Sequence, residues 1–181
     1  INLNQSSDLT LSILKTKKTK FLLESDYRKI FVDGSLYISG AAKPNSENNF
    51  LDGYFQIYGD TIVYNNSKLS YDATAVSDSG FLGKYGYSDT DRLTSTISVT
   101  KQLQNSFSKI STTYFTSLRE NEQEEYIIVP NFYTRYMKNN ENLDIFFGAE
   151  ISLVGLTNKD LETDLKFNTS FDAEKFWNTK N

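Results

Sequence analysis

Apolar and polar residues alternate with a period of two along most of this chain. Leu143, Ile145, Phe147, Ala149, Ile151 and Leu153 interleave with Asp144, Phe146, Gly148, Glu150 and Ser152, and Leu165, Phe167, Thr169, Phe171 and Ala173 with Lys166, Asn168, Ser170, Asp172 and Glu174. Successive side chains of a strand point to opposite faces, so each segment predicts a strand with one apolar and one polar side. The same alternation upstream predicts strands over 128–136, 109–118, 92–100, 68–75, 51–63, 29–40, 20–28 and 8–13. The expectation is about ten strands, with eight to twelve compatible with the pattern.

Short polar turns at Asn65-Asn66, Gln104-Asn105 and Asn139-Asn140 alternate with longer connections at 42–49, 78–90, 119–124 and 155–161. Tight turns at one end and long loops at the other describe an up-and-down meander. Within the strands, Asp, Glu, Lys and Arg fall almost entirely on one face. Lys101 is the main exception, near a strand end where its long side chain can snorkel.

Three features favour lipid against the apolar face over a packed interior. The face carries many small or hydroxylated residues, among them Gly34, Gly40, Gly53, Gly59, Ala73, Ala75, Thr112, Thr116 and Thr169, which would leave voids in a core. Segments of roughly 10 to 13 residues match or exceed the 9 to 11 that a tilted strand needs to cross a bilayer. Regular hairpins suit a meander that closes on itself and leaves no unpaired edge in hydrocarbon. The predicted fold is therefore all-β: a closed antiparallel up-and-down transmembrane β-barrel occupying residues 1–181 as a single domain.

In this arrangement the chain resembles the bacterial outer-membrane β-barrel, porin-like proteins, over most of its length and in architecture alone. The segment Phe167 to Trp177 is similar to the aromatic-rich last strand of that class, although Asn178-Thr179-Lys180-Asn181 follows where the class ends on an aromatic residue. The resemblance implies a bacterial outer membrane as the location, its lipid as the surroundings and small polar solutes as what passes.

Composition narrows the chemistry. With 38% hydrophobic and 23% charged residues the average is that of a soluble protein, and no apolar run reaches the length of a transmembrane helix, but a barrel with a polar lumen passes both tests. The chain has 12 Tyr, 13 Phe and only 2 Pro, a strand-forming balance. It has no Cys, hence neither disulfides nor thiolate metal sites, and its lack of His removes the commonest general base and metal ligand. Hydrolytic and acyl-transferring barrels of the resembled class use His, so the expectation is a protein that is not an enzyme and carries neither cofactor nor metal. Glu120, Glu122, Glu124 and Glu125 read as a solvated loop. The net charge of -4, with Lys and Arg concentrated only over 15–20, disfavours nucleic acid.

The predicted lumen is lined by Lys20, Glu24, Lys29, Asp33, Asp52, Asp60, Lys68, Asp72, Arg92, Lys109, Arg135, Asp144, Glu150, Lys166 and Asp172, with Tyr37, Tyr54, Tyr58 and Tyr133 beside them. Both charge signs occur in similar number. A barrel of about ten strands lies between the side-chain-filled eight-stranded and the wide 16-stranded kinds, which favours a narrow pore for passive diffusion of small polar or charged solutes. One alternative is an adhesin or binding protein acting through outer loops, with Phe81, Lys84, Tyr85 and Tyr87 of the 78–90 loop as the candidates. The other is a soluble lipocalin-like barrel with the faces inverted. Oligomeric state is open in the sequence.

Overall fold

The computed structural model of the chain describes residues 2–4, 6–15, 21–45, 51–119, 127–140, 145–157 and 162–175. Eleven strands form one sheet in the order of the sequence, each antiparallel to the next. They are β1 (Asn2–Asn4), β2 (Ser7–Leu14), β3 (Leu22–Phe31), β4 (Gly34–Pro44), β5 (Leu51–Ile62), β6 (Lys68–Val76), β7 (Arg92–Gln102), β8 (Ser106–Ser117), β9 (Ile127–Asn140), β10 (Ile145–Thr157) and β11 (Thr163–Lys175), with one short helix, α1 (Phe81–Tyr85), between β6 and β7. The ten strands that alternation predicts are β2–β11; β1 adds three residues. The sheet is not closed, since β1 and β11 remain its two edges.

Several strand ends differ from the pattern: β9 runs through Asn140, where a turn is expected, and β10 through Thr157, into the connection expected at 155–161. At the β3–β4 boundary two assignments change. A two-residue turn at Val32-Asp33 splits the segment 29–40, so that β3 runs on to Phe31 and β4 begins at Gly34. The turn shifts alternation by one, Phe31 opposing Gly34, but Ile30 and Val32 share the parity of Gly34 and Leu36 and so conceal where the shift falls. Glu24 and Arg28 therefore share a face from which Lys29 is excluded: Lys29 pairs with Leu36 on the apolar side, its ammonium 4.9 Å from the centre of the Phe31 ring. Asp33 sits in the exposed turn, where its carbonyl accepts a hydrogen bond from the Ile62 N–H. At the Asn65-Asn66 turn both residues adopt positive φ, 55° and 56°, which Asn tolerates better than other side chains.

The connections alternate in kind as expected. Those at 15–21, 45–50, 77–91, 118–126 and 158–162 lie at one end of the sheet, and 32–33, 63–67, 103–105 and 141–144 at the other. Directly opposed residues also drift steadily along the strands. The row that starts at Asp8 passes through Arg28, Tyr37, Tyr58, Asp72, Thr96, Thr113, Ile128 and Leu156 to Asp164. Asp8 is the second residue of β2, at the short-turn end, and Asp164 the second of β11, at the long-loop end. Across ten strands the register slides by most of a strand length.

Few apolar side chains are withdrawn from the surface: among the described residues the buried ones are Leu22, Ala41, Phe81, Leu82 and Leu93. The apolar face stays open, with Leu11 54% exposed, Ile97 53%, Ile110 52% and Phe171 80%. Part of its small-residue content serves strand contact. A Cβ placed at Gly59 would run into the carbonyl oxygen of Ser35 on β4 and the Tyr71 hydroxyl of β6. Gly59→Ala is expected to push these strands apart and lower stability by about 1–3 kcal/mol, as overpacking does; urea unfolding measures it.

Candidate functional site

Ladder register brings Glu24, Asp52, Asp60, Lys68, Asp72, Arg92, Lys109, Arg135, Glu150, Lys166 and Asp172 onto one face of the sheet, opposite the exposed apolar one. Lys20 and Asp144 lie outside the described residues. Neighbouring strands pair some of these charges. Lys43 Nζ is 2.7 Å from Asp52, Lys68 Nζ 2.8 Å from Asp60 and Arg28 2.7 Å from Asp8, the first and last being directly opposed pairs. The Tyr133 hydroxyl donates to Glu150 at 3.1 Å, and the rings of Tyr37 and Tyr58 stack with centroids 4.8 Å apart. Asp8 and Arg28, which alternation sets on the polar sides of 8–13 and 20–28, and Lys43, which lies beyond the predicted strands, join the face. Their strand partners, which sequence does not show, make them part of the network.

The 77–91 connection folds back over this face. Its first turn is fixed by Asp78, whose carboxylate accepts the Gly80 N–H at 3.1 Å and whose carbonyl accepts the Phe81 N–H at 3.0 Å. Helix α1 follows and ends at Gly86, whose φ of 75° lies in the left-handed region that glycine enters at least cost. Phe81 is fully buried and packs with Leu22 of β3 and Ala41 of β4, while Tyr54, Tyr85 and Tyr87 surround it. Tyr87 stands 4.6 Å from Tyr54, ring centre to ring centre, and its hydroxyl donates a hydrogen bond to Glu24. Of the loop residues proposed for outward binding, Phe81 is therefore buried, Tyr85 and Tyr87 are half-buried against the polar face, and Lys84 is exposed. The spacing Phe81, Leu82, Tyr85 is helical, one to four residues apart, and is a signal in the sequence for a short helix but not for the direction in which it turns.

Beneath this loop the sheet parts. β6 and β7 pair only from Lys68↔Thr100 to Asp72↔Thr96, and above that the ladder stops. A side chain substitutes for it at one point, where Ser95 Oγ accepts the Thr74 N–H at 3.3 Å. The diverging ends of β6 and β7, the inner face of β5 and the loop border a half-open cavity of about 440 Å³. A second cavity, of about 280 Å³, lies beside the Asp8–Arg28 pair and the Tyr37–Tyr58 stack. Among the described residues no group of three acidic side chains is placed to hold a metal ion.

Burial, and after it the Glu24 carboxylate, push the Tyr87 hydroxyl above the ordinary phenol pKa of 10.0. A raised pKa means that the docked loop favours the neutral phenol. Its contribution is complete below pH 10 and is lost as pH rises through the shifted value. Cleavage of the 77–91 loop by an alkaline-stable subtilisin should accordingly begin to accelerate as pH rises above 10 in the wild type, and Tyr87→Phe should remove the pH dependence that this hydroxyl supplies. Phe81→Ala, by deleting the anchor, is expected to raise cleavage at neutral pH roughly a hundredfold, the consequence of losing a buried aromatic side chain.

No model of a known protein family matches the chain, and neither does any curated protein.

Proposed function

We propose that this chain crosses a bacterial outer membrane as a closed β-barrel whose polar face lines a narrow path for passive diffusion of small polar solutes. The observation that carries the reading is the division of the sheet: exposed Leu, Ile and Phe on one side, cross-paired charges and tyrosines on the other. A contiguous exposed apolar surface of this extent needs an apolar surrounding. The ten long strands have 8 to 14 residues each, in keeping with bilayer crossings.

The sense of the strands and their register support closure between β2 and β11. Strand direction alternates, so β1 and β11 run the same way, whereas β2 and β11 run in opposite ways and can form an antiparallel ladder. The slide of opposed residues from Asp8 to Asp164 is the stagger that closing a tilted barrel requires. In the closed form α1 and its tyrosines narrow one mouth. The polar face binds nothing covalently and needs no catalytic group; it supplies paired charges whose opposite signs leave no strong preference for one ion.

Ile97→Arg tests whether lipid or water covers the apolar face. Ile97 is 53% exposed on the apolar face near the middle of β7. In a bilayer the charge is expected to cost about 2–4 kcal/mol in folding from urea into vesicles, whereas at a water-exposed site it would cost within about 0.5 kcal/mol. The wild type should need detergent, shift in mobility on boiling and conduct in planar bilayers. A chain that folds into vesicles without conducting would remove the pore and leave the barrel.

A further inference from the structure

We infer that the 440 Å³ cavity between β6, β7 and the 77–91 loop is a binding site for a small neutral saccharide. The inference deepens the pore reading, on which its part in transport rests, by naming the solute class. The cavity's size falls within the roughly 300–1,000 Å³ of small-molecule sites, and its walls come from three separate pieces of chain brought together only by the fold.

The lining decides the class of ligand. Tyr54 and Tyr87 provide aromatic surface at one side, and aromatic faces cover the C–H faces of a sugar ring while leaving its hydroxyls free. Gln56 and Asp72 form a polar pair, the amide nitrogen 3.5 Å from the carboxylate, and Thr74 and Thr94 add hydroxyls. An amide offers donors and acceptors, a carboxylate acceptors and a hydroxyl both, which is the mixture that a polyol, itself donor and acceptor at every carbon, can satisfy. Asp72 on one wall is balanced by Arg92 on another, so the lining carries no net charge to recruit an anion or a cation. The interrupted ladder adds to this. Above Asp72↔Thr96 the facing edges of β6 and β7 have no ladder with each other, so main-chain groups of both strands border the space. A neutral, hydroxyl-rich ligand can use such groups; an apolar one would leave them unsatisfied.

The loop is the roof of this site, held by Phe81 against Leu22 and Ala41 and by Tyr87 against Glu24. Leu82 and Tyr87 reach the cavity directly, so occupancy and loop docking are coupled: a sugar held beneath the loop favours the docked state by mass action.

The test is calorimetric titration of the chain folded in a sugar-free detergent, with glucose and maltose as neutral probes and glutamate and lysine as charged ones. Saturable binding of at least one sugar, weaker or absent binding of both amino acids, and a loss of about tenfold in affinity in Asp72→Ala and Thr94→Val are expected, the scale of one lost hydrogen bond to a neutral partner. Both variants must keep the wild-type mobility shift on boiling. Should they fail to fold, the wild type alone gives a second readout, since the bound sugar should slow trypsin cleavage at Lys84. Absence of saturable sugar binding, equal binding of the charged solutes, or binding unchanged in both folded variants overturns the inference. Sugar binding without conductance sustains the site and sinks the pore; conductance without sugar binding does the reverse.

Discussion

Backbone pairing from one strand to the next is the constraint on which the rest of this structure depends. With only five apolar side chains buried among the described residues, packing cannot be the principal source of order. The ladder fills that place. It joins each strand to the next in sequence, so nearly every interaction is made by neighbours along the chain. It also imposes the period of two that segregates side chains, and an error of one residue would exchange the faces. The charges depend on it as well: Lys43 meets Asp52 and Arg28 meets Asp8 because register sets them opposite each other.

Two departures from regular pairing shape the polar face. Bulges between β8 and β9 and between β9 and β10 interrupt the register without reversing it. The separation of β6 from β7 is larger, and it coincides with the longest connection at the long-loop end. The inward turn of α1 fits this place. Its apolar residues find the few large apolar groups at that end of the polar face, Leu22 and Tyr54, with the small Ala41 leaving room for Phe81. An otherwise charged surface thus acquires a local apolar cluster, and that cluster is the one conventional core in the described structure.

An open sheet with one face of exposed Leu, Ile and Phe leaves a large apolar area without a protein partner among the described residues. The same division is economical where lipid covers the apolar side, because hydrocarbon makes no demand for jigsaw packing and accepts the mixture of Gly, Ala, Thr and Phe found there. The edges are then the expensive elements, since unpaired peptide groups have no water to turn to. Strand sense points to β2 and β11 as the pair whose union would satisfy them.

Sequence by itself determined the number and order of the long strands, the identity of the two faces and the alternation of short and long connections, because all of these follow from a local period of two and from turn residues such as Asn65-Asn66. Most of the polar face was legible for the same reason: Asp52, Asp72, Arg135 and Glu150 occupy it through parity alone. The turn at Val32-Asp33 was not legible, because Ile30 and Val32 continue the parity of Gly34 and Leu36 and hide the point at which alternation shifts, and Lys29 and Asp33 were misplaced by it. Nor did sequence distinguish an outward loop from an inward one over 78–90, since Phe81, Tyr85 and Tyr87 suit either. Only the tertiary structure decided that, by bringing Leu22, Ala41, Tyr54 and Glu24 from three other strands under the loop, and by ending the β6–β7 ladder where the cavity opens. Contacts between residues distant in sequence leave no trace in a local pattern.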